Sequence, residues 1–214
     1  MSTLTDYLNE TRRYLRDAQA NYWSDADLTA SINRAIKQRD VDTGQNRLVQ
    51  SVPLVIGQNV YTINAGSFNA RTIGVAGIVV LFAQARQRLA ERDYGEASSL
   101  FQPTTTYASW PQVFAKMSPT QVYVAPMPNQ AYDAEWDTLI VSADLVNPQD
   151  ADPLPYPWTD PVPLLAAHFS RLELQQYDEA EHYKTMYAQS LSDIVGGTAP
   201  TFTRSPYPGT RSRY

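Results

Sequence analysis

The chain has 214 residues, of which 43% are hydrophobic and 18% charged, and its formal net charge is −5. This composition is typical of one globular domain, or one domain with an insertion, and is too apolar for a disordered chain. Cysteine is absent, which excludes a disulfide framework, a thiolate zinc site and a cysteine nucleophile. A signal peptide is not expected, because the first six residues contain neither a basic nor an apolar leader segment. A membrane span is not expected either, because the densest apolar stretch, residues 77–83, is far shorter than the ~20 residues that cross a bilayer.

Residues 1–44 predict two antiparallel helices joined by a short turn. Apolar residues repeat at helical spacing from Leu4 to Ala18. Ser24 begins a second helix, and Asp27 stands three residues later, as in a capping box. Gly44 ends this second helix, which carries on one face Leu28, Ile32, Ala35, Ile36 and Arg39.

Residues 45–147 predict a mostly antiparallel β region, because segments rich in Val, Ile, Thr and aromatic residues are separated by Gly, Pro and Asn. Turns are expected at Gly57–Asn59 and Ser118–Thr120, and Pro126 is expected to end a strand. Residues 91–100 are either a short helix or a structured loop. The predicted strands are Leu48–Ile56, Val60–Ile63, Ile73–Phe82, Gln112–Met117, Gln121–Ala125 and Thr138–Ala143.

Helical spacing returns in residues 148–197, after a proline-rich connection. Pro161 is expected at the first helical position, behind Asp160 as the N-cap. A last helix is predicted from Asp178 to Val195, with the Gly196–Gly197 pair ending it. The fold class is therefore predicted to be α+β: the N- and C-terminal helical pairs form a four-helix bundle-like body with a β insertion between them.

Residues 198–214 predict an extended C-terminal arm, because three prolines and a glycine oppose helix formation. The arm carries three arginines and no acidic side chain, whereas residues 158–197 carry two basic and six acidic side chains. Aromatic residues and arginine are enriched at interface hot spots, so the arm is predicted to dock into pockets of a partner. The candidate binding residues are Phe202, Arg204, Tyr207, Arg211, Arg213 and Tyr214.

The sequence contains no motif typical of a catalytic, cofactor or metal site. Its two histidines, His168 and His182, fall on separate predicted helices and lack the spacing of a zinc hydrolase. Glycine-rich phosphate-binding motifs and Gly-x-Ser-x-Gly are also absent. We expect His168 to be a hydrogen-bonded core or interface residue and His182 to lie on a solvated helix face.

A carbohydrate-binding or carbohydrate-active β module is the alternative that these residues leave open. Asp133, Glu135 and Asp137 would supply the carboxylate pair that a glycosidase needs, and Trp110 and Trp136 would stack on sugar rings. The three acids alternate as on the polar face of a strand, however, and this spacing favours a solvated edge.

Turn, cap and strand-end features occur in a particular order along nearly the whole chain. This order is more informative than any single feature. The features are the Trp23–Leu28 turn with Ile32–Ala35 after it, the Val55–Ile63 hairpin, the strand ends at Trp110–Pro111 and Val124–Pro128, and the Pro161–Val195 helical pair with Tyr177–Ala180. In this order the segments resemble the head-to-tail adaptor (connector) proteins of tailed bacteriophages, especially the short-tailed ones.

The resemblance implies a structural virion protein that is not an enzyme and is assembled in the bacterial host cytoplasm. Adaptor subunits form a ring, usually of twelve copies, that joins the portal protein to the tail nozzle protein and lets DNA pass without sequence-specific binding. The arm would grip the portal. A net-acidic body would suit a channel wall along which DNA slides, since phosphate binding needs basic groups. The alternative within the same assembly is another ring protein of the tail or a head-completion protein.

Overall fold

The computed structural model describes residues 1–82, 85–100 and 108–198, without the side chains of Leu100 and Thr198. The described residues form a mixed α+β fold with five helices and two sheets. The helices are α1 (Leu4–Leu15), α2 (Asp25–Thr43), α3 (Tyr94–Leu100), α4 (Val162–Glu173) and α5 (Tyr177–Thr198). The strands are β1 (Arg47–Ser51), β2 (Val60–Thr62), β3 (Thr72–Phe82), β4 (Ala85–Arg88), β5 (Ala90–Arg92), β6 (Val113–Ser118), β7 (Gln121–Ala125) and β8 (Asp133–Ile140).

The ends of α1 and α2 follow from capping residues. The Ser24 hydroxyl accepts a hydrogen bond from the backbone N–H of Asp27 at 3.1 Å, which confirms the predicted N-cap. Gly44 adopts φ 58° and ends α2, also as predicted. Helix α1 ends at Leu15, earlier than predicted, because Arg16 adopts a left-handed conformation with φ 57°.

The prediction is wrong at two ends of the C-terminal helices. Helix α4 begins at Val162 and its N-cap is Pro161, which makes no side-chain capping hydrogen bond, so the predicted cap by Asp160 is not formed. Helix α5 continues through the Gly196–Gly197 pair to Thr198. Glycine destabilises a helix interior by about 1 kcal/mol relative to alanine, a cost too small to force the chain out of a helix that is held elsewhere by packing.

The two four-stranded sheets share one hydrophobic core. The strand order is β1-β8-β3-β4 in the first sheet and β2-β7-β6-β5 in the second. All the strand pairs are antiparallel except β5 and β6, so the prediction of a mostly antiparallel region is confirmed. The shared core places side chains of the first sheet against those of the second, with Val75, Ile78, Val80, Ala134 and Trp136 on one side and Tyr61, Phe114, Val122 and Val124 on the other.

Strand β1 is shorter than predicted. It ends at Ser51 rather than at Ile56, because Pro53 has no N–H to donate to the ladder. The chain then contacts β8 through a hydrogen bond from the N–H of Val52 to the carbonyl of Ala134 and through an isolated bridge between Leu54 and Tyr132. The residues after this break therefore leave the first sheet.

The predicted hairpin at Val55–Ile63 is not formed, although its turn is. The N–H of Gln58 donates to the carbonyl of Val55 at 3.1 Å, which closes the turn around Gly57. Strand β2, however, pairs with β7 and not with the segment that precedes the turn. The turn therefore passes the chain from one sheet to the other.

Strand β8 lies further towards the N-terminus than predicted. It covers Asp133–Ile140, whereas the predicted strand was Thr138–Ala143. Trp136 lies at its centre with no exposed surface. Asp133, Glu135 and Asp137 alternate with buried residues, so the strand extends through these three acids with one polar and one apolar face.

Helix α4 lies at the centre of the helical layer, and residues 161–170 are all buried. It packs against α1, α2 and α5. These four helices contribute to one hydrophobic cluster that includes Leu4, Tyr7, Ile32, Ile36, Leu165, Phe169 and Tyr187. Within the described ranges, no helix combines the length and the apolar character needed to cross a membrane.

Candidate functional surfaces

The six predicted binding residues of the arm, from Phe202 to Tyr214, lie outside the described residues. The described chain stops at Thr198, the last described residue of α5. The surface next to this point is therefore the part of the body that the arm can reach first.

A groove with a volume of about 610 Å³ runs along the second half of α5. One wall is a single face of that helix, with residues at spacings of three and four. The other wall comes from the connection before α4 and from α4 itself. We call this the α5 groove, and it is lined by Tyr156, Pro157, Asp160, Leu164, Met186, Gln189, Ser190, Asp193, Ile194 and Gly197.

The α5 groove combines apolar surface with two carboxylates. Tyr156 is 74% exposed and Met186 36% exposed, and both offer apolar contact area. Within the described ranges, Asp160 and Asp193 form no ion pair and their carboxylates accept no hydrogen bond. Partial burial raises the pKa of Asp160 above its usual value. The groove can therefore take aromatic rings and pair with guanidinium groups.

A second groove, of about 700 Å³, lies along α2 beside residues 144–146. Its lining includes the small, exposed residues Ala26 and Ala30. Val41 and Val146 line it and are 57% and 73% exposed. We call it the α2 groove; its basic side chains include Arg34, which lies 3.9 Å from the centre of the Phe169 ring, and Lys37, which pairs with Asp144 at 2.6 Å.

A buried ionic cluster joins α2 to the connection before α4. Arg39 contacts Asp152 at 2.6 Å and Asp40 at 2.8 Å, and all three side chains are fully buried. The hydroxyl of Tyr7 donates to Asp152 at 2.6 Å, and Asp40 accepts hydrogen bonds from the N–H and hydroxyl of Ser142. The charges are thus paired with one another, and the cluster holds three distant segments together.

The cluster shifts the pKa of two of its members. Burial acts to lower the pKa of Arg39, but the hydrogen bonds from its guanidinium to Asp152 and Asp40 outweigh this effect and raise the pKa. Burial, reinforced by the negative charge of Asp152, raises the pKa of Tyr7 well above its usual range. Both side chains therefore stay protonated in the folded protein over the physiological range.

The two histidines have separate surroundings. His168 is buried, and its Nδ1 lies 2.7 Å from the carbonyl oxygen of Ala180, which confirms that it is a hydrogen-bonded core residue. This contact requires Nδ1 to carry the proton and links α4 to α5. His182 is exposed beside Tyr183, as expected for a solvated face. Nowhere in the described residues do three or more His, Asp or Glu side chains gather in a way that would hold a metal ion.

The three acids of β8 form a polar face, as predicted. They alternate with buried residues along the strand. Glu135 pairs with Arg86, and Asp137 pairs with Arg47 at 3.1 Å. Two of the three carboxylates are therefore engaged in ion pairs across the sheet.

The structure separates the two tryptophans that were considered for sugar stacking. The expectation for Trp136 is wrong, because its ring is fully buried and its Nε1 donates to the carbonyl of Val52 at 2.8 Å. Trp110 is half-buried and packs edge-to-face on Phe82 and Tyr132, at ring-centre distances of 5.1 and 4.6 Å. Phe82 is 50% exposed. Only Trp110 of the pair belongs to a surface aromatic cluster.

No protein-family model matches this sequence, and no curated protein sequence matches it either.

Proposed function

We propose that the protein is the structural adaptor subunit between the portal and the tail of a bacteriophage virion. The observation that carries this proposal is the charge contrast between α5 and the arm that follows it. A basic, aromatic arm follows an acidic helix in which Lys184 is the one basic side chain against Asp178, Glu179, Glu181 and Asp193. Such an arm suits docking onto a separate partner, which on this proposal is the portal.

The body of the proposed subunit is the four-helix layer around α4, with the two sheets as the insertion that contacts neighbouring copies or the tail nozzle. The order of helical pair, β region and helical pair is the order on which the resemblance to the adaptor proteins depends. A shared core among α1, α2, α4 and α5 supports a rigid body that can carry a ring interface.

The ring itself would form by a head-to-tail interface, in which two different surfaces of adjacent copies meet. The α2 groove is our candidate for one of these surfaces, because it exposes Val41 and Val146 beside the basic Arg34. The acidic outer face of α5 in the neighbouring copy is the complementary surface. Twelve copies is the number that the resemblance implies.

The channel role follows from the charge of the body. The whole chain carries −5 and the arm side chains +3, so residues 1–197 carry −8. A negatively charged wall does not retain the phosphate backbone, since counterion release requires basic groups. DNA therefore passes through the proposed ring without being held. The subunit needs no cofactor for this task.

Replacement of two arm arginines tests the proposal. The change Arg211→Ser/Arg213→Ser should weaken binding to the purified portal about 30-fold, the effect expected when a hot-spot contact worth about 2 kcal/mol is lost. The control Arg13→Ser/Arg71→Ser removes the same charge from exposed positions of the body. Equal portal affinity of the two variants, measured by surface plasmon resonance, would refute the assignment of the arm.

The aromatic pair of the exposed Phe82 and the half-buried Trp110, which pack on the buried Tyr132, favours one second candidate function, which is carbohydrate binding. Exposed aromatic faces supply the apolar contact that sugar rings use. Glycan-array binding by the isolated protein, lost in Trp110→Ala and retained in Tyr22→Ala, would support it; Tyr22 is 84% exposed and lies outside the cluster. Failure to bind any glycan would remove this candidate.

A further inference from the structure

Gly197, the last but one of the described residues, lines the α5 groove, so the described chain stops beside the groove. The groove extends from there back along the helix to Met186. A segment that follows Thr198 therefore enters the groove directly if it turns back on the helix. The sixteen residues from 199 to 214 are available for this.

The length of the groove suits the arm. From Met186 to Gly197 the helix rises about 16 Å, at 1.5 Å per residue. An extended chain covers about 3.1 Å per residue, so about five or six residues span that distance. A reversal of about four residues after Thr198 would place residues 202–207 along the groove.

The chemistry of residues 202–207 also suits the groove. Phe202 and Tyr207 stand at the two ends of this stretch and Arg204 stands between them. Apolar surface from Tyr156, Leu164 and Met186 can receive the two rings, and methionine sulfur packs favourably on aromatic rings. The carboxylates of Asp160 and Asp193, which are unpaired within the described ranges, can accept hydrogen bonds from the guanidinium.

We propose that residues 202–207 dock in the α5 groove of their own chain, antiparallel to α5, with Arg204 paired to Asp160 or Asp193. This docking does not require the portal, so it stands independently of the proposed function. If the adaptor proposal also holds, any partner that takes the arm must first release it from the groove. The apparent affinity for that partner is then reduced by the fraction of arms that are docked.

A spin label on the arm tests the direction of docking. The chain has no cysteine, so Thr210→Cys introduces one site for a nitroxide label. In the docked state residue 210 lies beyond the far end of the groove, and the label should broaden the amide NMR signals near Met186 more than those near Gly197. An arm that does not return along the helix gives the opposite gradient, and this result would overturn the proposal.

Charge variants test the contact that holds the arm. In the labelled protein, Asp160→Asn/Asp193→Asn should lower the ratio of docked to free arms about tenfold, because one charge-assisted hydrogen bond is lost. The broadening of the signals near Met186 should then decrease. The control Asp133→Asn removes an exposed carboxylate from β8 and should leave the broadening unchanged. Equal broadening in all three proteins would refute the pairing with the carboxylates.

A mixing experiment distinguishes the chain's own arm from the arm of another copy. Protein that carries the nitroxide label but no ¹⁵N is mixed with protein that carries ¹⁵N but no nitroxide label. The proposal predicts that the ¹⁵N signals at Met186 stay sharp in this mixture and broaden only when label and ¹⁵N are on one chain. Broadening in the mixture would show exchange between copies and overturn docking within the chain.

Discussion

Nη1 of Arg39 lies 2.6 Å from Oδ2 of Asp152, and neither side chain has any exposed surface. The two residues are 113 positions apart in the sequence, one in α2 and the other in the connection that leads to α4. The pair therefore ties the N-terminal helices to the C-terminal ones across the point where the β region is inserted. A charge that loses its partner in this buried position is not solvated by water.

Asp152→Asn should lower the free energy of unfolding by about 3 kcal/mol or more, because it leaves part of the Arg39 charge unpaired in the core. Urea denaturation measures this directly. The control is Asp137→Asn, which breaks the exposed pair with Arg47 and should cost about 1 kcal/mol or less. A similar loss in both variants would show that the buried pair does not hold the fold.

Alkaline pH should destabilise the protein through Tyr7 and Tyr187. Burial raises the pKa of both hydroxyls well above 10, and hydrogen bonds to Asp152 and Asp42 add to the effect. The folded protein therefore keeps these protons, whereas the unfolded chain releases them near pH 10. Because the unfolded state then binds fewer protons, the free energy of unfolding falls as pH rises above about 10 and is fully retained below it.

The double variant Tyr7→Phe/Tyr187→Phe should show a shallower loss of stability than the unmodified protein between about pH 9 and pH 11. Chemical denaturation at each pH gives the slope. Tyr22→Phe, at a position that is 84% exposed, should leave the slope unchanged. If the double variant loses free energy of unfolding with pH as steeply as the unmodified protein, other groups cause the loss of stability at alkaline pH.

The elements that local pattern determines could be predicted from the sequence. Helices α1 and α2 follow from helical spacing and from the cap at Ser24, and strands β3, β6 and β7 lie within one residue of their predicted bounds. Ser118–Thr120 joins β6 to β7 as expected. These features depend on residues close together in sequence, and so they are visible in it.

The features that depend on distant segments could not be predicted. Strand β4 is fully exposed and has no apolar alternation, and it exists because β3 offers it a backbone ladder. The partners of Arg39 lie in other parts of the chain. One signal was present, since an arginine on the apolar face of α2 requires a buried carboxylate, but nothing in the sequence identifies Asp152 as that carboxylate. The arm residues lie outside the described ranges, so their predicted role remains a prediction.

Trp136→Ala should destabilise the β region strongly. Its ring packs on Tyr61 and Phe68 at centre distances of 5.4 and 5.0 Å, and its removal leaves a cavity in the shared core. Replacement of a buried Trp by Ala costs about 3–5 kcal/mol. Trp110→Ala, at a half-buried position, should cost clearly less in the same urea titration, and the reverse order would contradict the placement of the core between the sheets.

Ala30→Arg should block assembly of the ring without unfolding the subunit. Ala30 is exposed and lines the α2 groove, and a long charged side chain there would obstruct the neighbouring copy. The variant should keep its thermal midpoint but form no multi-copy complex on the portal. Ala18→Arg, at an exposed position in the connection between α1 and α2, is the matched control and should assemble normally. Normal assembly of both would remove the α2 groove from the interface.

Mass measurement by multi-angle light scattering, on the protein alone and mixed with its portal, tests the adaptor proposal most directly. We predict a discrete portal complex that carries a ring of copies and is lost when residues 199–214 are deleted. That deletion leaves every described residue in place, so circular dichroism should show an unchanged fold. A monomer that remains a monomer in the presence of the portal would contradict the proposal.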